Sequence, residues 1–277
     1  MLRKGFLFPA VVLSFIVLLS CSAERKLAVE YVKKREPASA LLIAPDFSYK
    51  YNFKIPDIEN FFELSGAQKD STLFFNSDLL QYIDDSVLFA SYLKGLSTGL
   101  ANYGFRTYSG ESARKFIESG SDGLIINLAQ FELEEYLDSI SEEASYSEEE
   151  NYNYQFYLNA INFNSWFEIA RVNHQDTTLV LYTSNKITDK FEGGYQYFPF
   201  TGDVKYYYSI DSMNVDDVYQ SAYSYSYYYA GLIFDYLMNE YVRTHLDPGR
   251  QPVGYYTYDR ISGIVRKGFG QRLTRIR

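Results

Sequence analysis

Asp84 to Leu128, DDSVLFASYLKGLSTGLANYGFRTYSGESARKFIESGSDGLIINL, is the stretch whose periodicities decide the fold. Leu88, Tyr92, Leu96, Leu100 and Tyr103 recur at about 3.6 residues, the spacing that places apolar side chains on one face of a helix. Asp84 or Asp85 supplies its N-cap, and Gly104 its left-handed stop. Phe105 to Tyr108 then reads as a strand, Glu111 to Ser119 as a short helix closed by Gly120, and Gly123 to Leu128 as an aliphatic strand. Upstream, Ala40 to Ala44 is a short apolar run without helical period before Pro45, so it reads as a buried strand near the middle of a sheet. Strand, helix, strand, helix, strand with short joints predicts parallel pairing with helices laid on the sheet.

After Leu128 the pattern changes. Ala129 to Leu137, Tyr152 to Val172, Thr177 to Ser184 and Val204 to Ile210 read as successive long strands, which predicts an antiparallel meander. The Gly193-Gly194 pair between aromatics reads as a turn. A closing helix starts at Asp216 or Asp217 and reaches about Thr244, with Val218, Ala222, Tyr225, Tyr229, Leu232, Ile233, Tyr236 and Leu237 on one broad face. Asp247-Pro248-Gly249 ends it. The expected class is therefore α/β with α+β character: a single mixed sheet, parallel in its N-terminal part, meandering after it, with helices packed mainly on one face. Residues 39–247 make that domain. Residues 46–83 scatter Tyr and Phe among Asp, Asn and Lys and define no element. Residues 248–277 form a basic tail (Arg260, Arg266, Lys267, Arg272, Arg275, Arg277), either a last hairpin or a mobile arm.

The chain begins with a different kind of signal. Arg3 and Lys4 precede an apolar run from Gly5 to Leu19, the build of a secretory signal peptide. The run is too short for a spanning helix, which needs about 20 apolar residues. Its end, Leu18-Leu19-Ser20-Cys21, resembles the bacterial lipobox. By that resemblance residues 1–20 are cleaved, Cys21 takes a diacylglycerol thioether, and its freed amino group is acylated. Several lipid chains hold durably where one holds marginally. The alternatives are an uncleaved anchor or an ordinary signal with an incidental cysteine. Residues 21–38, rich in charge (Lys33, Lys34, Arg35, Glu36), then read as a lipid-anchored tether. Ser22 after the cysteine is similar to the sorting pattern for the outer membrane, and the missing acidic cluster favours a periplasm-facing position. Cys21 is the one cysteine of the chain, so once lipidated it leaves no thiol for a disulfide, a metal or nucleophilic catalysis.

With 47% hydrophobic and 22% charged residues, the remaining chain of about 250 residues is long enough for one large, well-packed domain. A net charge of −9 argues against nucleic acid as partner. The 29 Tyr and 21 Phe beside a single Trp read first as half-buried strand packing with hydroxyls at the edge. An exposed aromatic face for sugar, peptide or protein is the other reading.

The order of elements, with Pro45, Gly104, Phe105, Asp122 and Gly123 at their joints, resembles the small α/β lipoproteins that act as auxiliary subunits of envelope transport systems. It is also similar to the amino-terminal domain of the translocation protein TolB and to the curli-secretion lipoproteins. In composition the chain resembles lipoproteins of the Bacteroidetes type. The resemblance covers about residues 39–245 and implies a fold and an envelope role; Cys21 is the one functional residue it carries over.

Few constellations bear chemistry. His174 and His245 have no partner at metal-ligand spacing, and His245 at a helix C-terminus suits the dipole. There is no Gly-x-Ser-x-Gly and no phosphate-binding or dinucleotide glycine loop. Glu132, Glu134, Glu135 and Asp138 are the carboxylates that a glycosidase pair would need, with alternation placing Glu132 and Glu134 on one face and Glu135 on the other. Together with Glu142, Glu143 and Glu148 to Glu150 they also read as a solvated hairpin tip, or as a site for calcium or a basic partner. The basic tail could touch anionic lipid. The expected function is a non-enzymatic, membrane-anchored accessory or scaffold subunit of an envelope assembly, without cofactor or metal, meeting a protein partner through strand edges and Tyr-rich surface. A glycan- or peptide-binding lipoprotein is the alternative, then a carboxylate-dependent hydrolase. Oligomeric state is left open.

Overall fold

In a computed structural model, which describes residues 23–34, 38–55, 58, 60–119, 123–145, 151–172 and 174–276, the parallel half of the sheet forms where the periodicities place it. Strand β1 (Ser39–Ile43) is flanked in parallel by β3 (Arg106–Ser109) and by the start of β4 (Leu124–Ser145). Helix α3 (Asp85–Asn102) makes the first crossover. Its cap is Asp84, whose side chain accepts from the N–H groups of Ser86 and Val87, and Gly104 adopts φ 79° just beyond its end, a conformation that costs glycine little. The short α4 (Ala113–Glu118) makes the second crossover. Two further strands, β5 (Asn151–Arg171) and β6 (His174–Thr188), continue antiparallel to give the order β11-β6-β5-β4-β1-β3, with β2 (Tyr49–Asn52) beside β4 and β11 (Thr274–Arg275) beside β6. The mixed sheet with a parallel N-terminal part and an antiparallel continuation is therefore as expected, except that Val204 to Ile210, read as part of the meander, pairs instead in a separate two-stranded sheet.

The core lies between one face of this sheet and the two long helices, α3 and α5 (Val215–His245). Phe131, Phe163 and Phe167 from the strands are fully buried against Tyr92, Tyr225 and Tyr229 from the helices. The Tyr92 hydroxyl meets Ser165 Oγ at 3.0 Å, so this deep phenol is satisfied as burial requires. The helices touch through small residues. A Cβ at Gly95 would stand 2.2 Å from the Tyr223 carbonyl, and one at Gly99 2.6 Å from the Ala230 Cβ. That near-backbone contact lets both helices reach the same strands.

Length decides what the helices leave uncovered. At about 3.3 Å per residue β4 runs about 70 Å, whereas α5 at 1.5 Å per residue runs about 46 Å. The excess of β4 and β5 projects as a two-stranded ribbon. Strands β7 (Lys190–Phe198) and β8 (Asp203–Asp211) form a hairpin that covers one side of the ribbon, stacking Phe191, Tyr206 and Tyr208 on Tyr154 and Phe156.

Several expectations are corrected here. Ala129 to Leu137 is not a separate strand: it continues Gly123 to Leu128 within β4, through a register shift between Leu128 and Gln130. Gly193-Gly194 is not a turn but the middle of β7, opposite Tyr208 and Tyr207; a Cβ on Gly193 would meet the Tyr206 hydroxyl at 2.1 Å, so glycine admits that ring. β1 is an interior strand but next to the edge strand β3 instead of central. Residues 46–83 hold β2 and α2 (Gly66–Phe75). Where charge predicts a tether across 21–38, residues 23–34 form a helix, α1. Ala28 is buried in it, with Leu27, Tyr31 and Val32 packed against the core, and that i, i+1, i+4, i+5 stripe outweighs the charged face.

The basic tail is integral too. Strands β9 (Tyr256–Asp259) and β10 (Ile264–Lys267) make the hairpin that was one of the two readings, and Tyr256, Val265 and Leu273 are buried. Buried Glu24 ties the two chain ends together by accepting from the N–H groups of Val253 and Gly254 at 2.8 and 3.2 Å. Among the described residues no helix is long and apolar enough to cross a membrane.

Candidate binding face

Side chains alternate across a strand, so the residues between those of the core point to the other side of the sheet. In its middle that side carries no described helix; α4 covers one end, where Phe116 packs on Tyr108, and the β7–β8 hairpin covers the other. Register places the side chains of this side in rows. Tyr49 lies beside Glu132, then Asn164, then Ser184; Tyr51 lies beside Glu134, then Asn162, then Lys186; Gln130 lies beside Trp166, then Tyr182.

The rows are cross-linked by hydrogen bonds. Asn162 Nδ2 donates to Glu134 Oε2 at 3.2 Å and its Oδ1 accepts from the Tyr136 hydroxyl at 3.2 Å. Tyr182 donates to Asn164 Oδ1 at 2.9 Å, and its ring sits 4.9 Å from that of Trp166. Along β2 the rings of Phe47, Tyr49, Tyr51 and Phe53 form an exposed ladder, the central two stacked at 6.5 Å with an interplanar angle of 3°. These contacts fix the rotamers of the face before any partner arrives. Burial against its neighbours, then the charges of Glu132 and Glu134, push the Tyr51 phenol up; burial does the same to Tyr136 against the pull of Lys186. Both hydroxyls stay neutral donors.

Charge is the distinguishing feature. Glu132, Glu134 and Glu168 take their hydrogen bonds from the neutral amides of Gln130, Asn162 and Asn127. Among the described residues none of the three has a cation. Asp138 differs, being paired with Lys186 at 2.5 Å. The face is thus anionic and aromatic together.

The four carboxylates singled out from the sequence part company. Glu132 and Glu134 share this face, as alternation predicts, but stand side by side along one strand, about 7 Å apart by strand geometry, and not across a cleft from each other. Glu135 points the other way and is fully buried, ion-paired with Lys54 and accepting from the N–H groups of Asp78, Leu79 and Leu80. That is an anion at the start of a short helical turn, a structural job. The solvated hairpin tip is corrected for all four, because β4 runs on to Ser145; Glu142 and Glu143 lie near its end, and Glu148 to Glu150 lie outside the described residues. His245 donates Nδ1–H to the Tyr241 carbonyl at 2.9 Å and stacks on that ring at the end of α5. His174 begins β6. Among the described residues no three His, Cys, Asp or Glu side chains converge to hold a metal ion. Cys21 and the leader lie outside the described residues.

Trp166, Tyr182, Asn162 and Asn164 are the residues that sequence reasoning passed over. Their signal was present in β5, where Asn162, Asn164, Trp166 and Glu168 alternate with Phe163, Phe167 and Ile169. What the alternation could not say is which side the helices would choose. No protein-family model and no curated protein matches the chain.

Proposed function

We propose that the protein is a lipid-anchored, non-enzymatic accessory or scaffold subunit of an envelope transport or assembly system, held at the outer membrane through Cys21 and facing the periplasm. Its partner docks on the uncovered face of the sheet. The observation that carries this is the set of three carboxylates bonded to neutral amides among exposed aromatic rings. Such a surface favours a partner that brings cationic side chains, since lysine or arginine gains both a carboxylate and a ring face. Beyond β2, the outer edge of β4 from Tyr136 to Ala144 has no strand partner among the described residues, which offers main-chain pairing next to the same face. A second reading, a glycan ligand, is favoured by the Trp166–Tyr182 pair beside Asn164, because ring stacking with flanking amides also suits a sugar.

Site-specific photo-crosslinking tests the two. A benzophenone amino acid in place of Tyr51 or Tyr182 is expected to capture one and the same polypeptide in cells, and none when placed at exposed Ile117 on α4. Retention of the protein on a polysaccharide matrix with no polypeptide captured at either position favours the second reading instead. Cys21→Ser is expected to move the protein to the soluble fraction; if it stays bound to membranes, the anchor is wrong.

A further inference from the structure

On the far side of the helices from the binding face, a cavity of about 510 Å³ opens between the end of α3, the middle of α5 and the C-terminal hairpin. Its size falls within the range of small-molecule sites. Tyr103, Tyr227, Tyr228 and Tyr258 supply aromatic wall, and Asp235 lines it from α5. Gly231 keeps the wall open, since a Cβ there would stand 2.8 Å from the Tyr103 hydroxyl.

Asp235 is anomalous. It is 7% exposed, and among the described residues its carboxylate has one hydrogen bond, from the Tyr258 N–H to Oδ1 at 2.8 Å. Among the described residues no cation is paired with it. Burial pushes its carboxyl up to about 7, against the Tyr258 N–H that favours the charged form. A buried carboxylate with a free oxygen turned to a cavity is costly unless something completes it. The rim has the opposite surplus: Arg260 and Lys267 line the cavity and have no carboxylate partner among the described residues, whereas Arg266 is engaged by Asp259 at 3.3 Å.

We propose that this cavity binds a small aminoalkyl phosphate of the phosphoethanolamine type, its ammonium on Asp235 within the tyrosine walls and its phosphate between Arg260 and Lys267. The charges balance. Two free cations and one carboxylate leave one positive charge, which an ammonium joined to a phosphate monoester, itself near −2 at neutral pH, cancels. An amino acid, with no net charge, does not. Tyrosine faces add cation–π attraction for the ammonium.

Titration calorimetry of the full-length chain with phosphoethanolamine, ethanolamine and inorganic phosphate in turn tests this. Phosphoethanolamine is expected to bind more tightly than either half. Asp235→Asn, which keeps shape and the Tyr258 contact, is expected to weaken it at least about 30-fold while leaving the phosphate affinity unchanged. Arg260→Ala, at an exposed rim position where folding is not at stake, is expected to lower affinity for phosphate and phosphoethanolamine but not for ethanolamine. Co-sedimentation with phosphatidylethanolamine vesicles, compared with phosphatidylglycerol vesicles, separates a lipid headgroup from a free monoester as the source. No heat with phosphoethanolamine, or equal affinity in Asp235→Asn, overturns the proposal.

Discussion

The two sides of the central sheet are made from the same strands, yet they have been put to opposite uses. Toward the helices, Phe131, Phe163 and Phe167 are closed off completely; toward the open side, their immediate neighbours are partly exposed, Glu132 and Asn162 bonded to Gln130 and Glu134 and Trp166 set against the Tyr182 ring. The first side is held by the removal of apolar surface from water. The second is held by polar bonds that water could largely replace, so its order contributes little to stability. Alternation at a period of two lets one strand serve both purposes without compromise.

The sharpest way to break this comparison is to cut adjacent residues of β5. Phe167→Ala is expected to cost about 4 kcal/mol in urea unfolding, whereas Trp166→Ala costs about 1 kcal/mol or less; equal losses would mean the open side is really core. The next effect concerns a carboxylate that burial, and not solvent, surrounds. Asp235 titrates at about 7 in the fold against an ordinary value of 3.8, so between those values the folded chain keeps a proton that the unfolded chain releases. Stability therefore falls as pH rises through that window, by on the order of 4 kcal/mol, and levels off above about 7. Tyr103, Tyr228 and Tyr255 face the same carboxyl and stay neutral throughout. Asp235→Asn is expected to flatten the slope, as the difference between the two melting-temperature profiles would show.

A smaller effect is expected at the helix contact that pays for the closed side. Gly95→Ala forces α3 and α5 apart and costs about 2 kcal/mol, while Gly110→Ala, with nothing within 4 Å of the added Cβ, changes the unfolding midpoint very little. Smallest of all is Glu134→Gln on the open side. It preserves size and is expected to shift stability by less than about 0.5 kcal/mol, but it should reduce the salt dependence of partner binding. Unchanged salt dependence would remove charge from the account of the face.

Much of the scaffold was legible because local rules dominate it. The Asp84 cap, the Gly104 stop and the 3.6-residue spacing of Leu88, Tyr92, Leu96 and Leu100 are all short-range, and each reappears in α3. The misreadings share a cause. Residues 23–34 and 248–276 carry so many charges that composition suggests tether and tail, but their few apolar positions are claimed by a core that other segments build. Gly193-Gly194 looks like a turn until Tyr206 is seen to need the room. Asp235 sat unnoticed in the middle of a helix, since nothing local shows that a distant hairpin will roof it.

By itself the sequence determined the cap and stop of α3, the parallel start of the sheet and which residues alternate along its long strands, since caps and periodicity depend on neighbours a few positions away. Only the tertiary structure decided which side of each strand meets the helices, that Glu135 goes inward to Lys54 while Glu132 and Glu134 stay out, and that Asp235 faces Arg260 and Lys267 across one cavity. Those outcomes depend on contacts between segments far apart in the chain, where excluded volume and the cost of burying charge choose among arrangements that local propensity leaves equal.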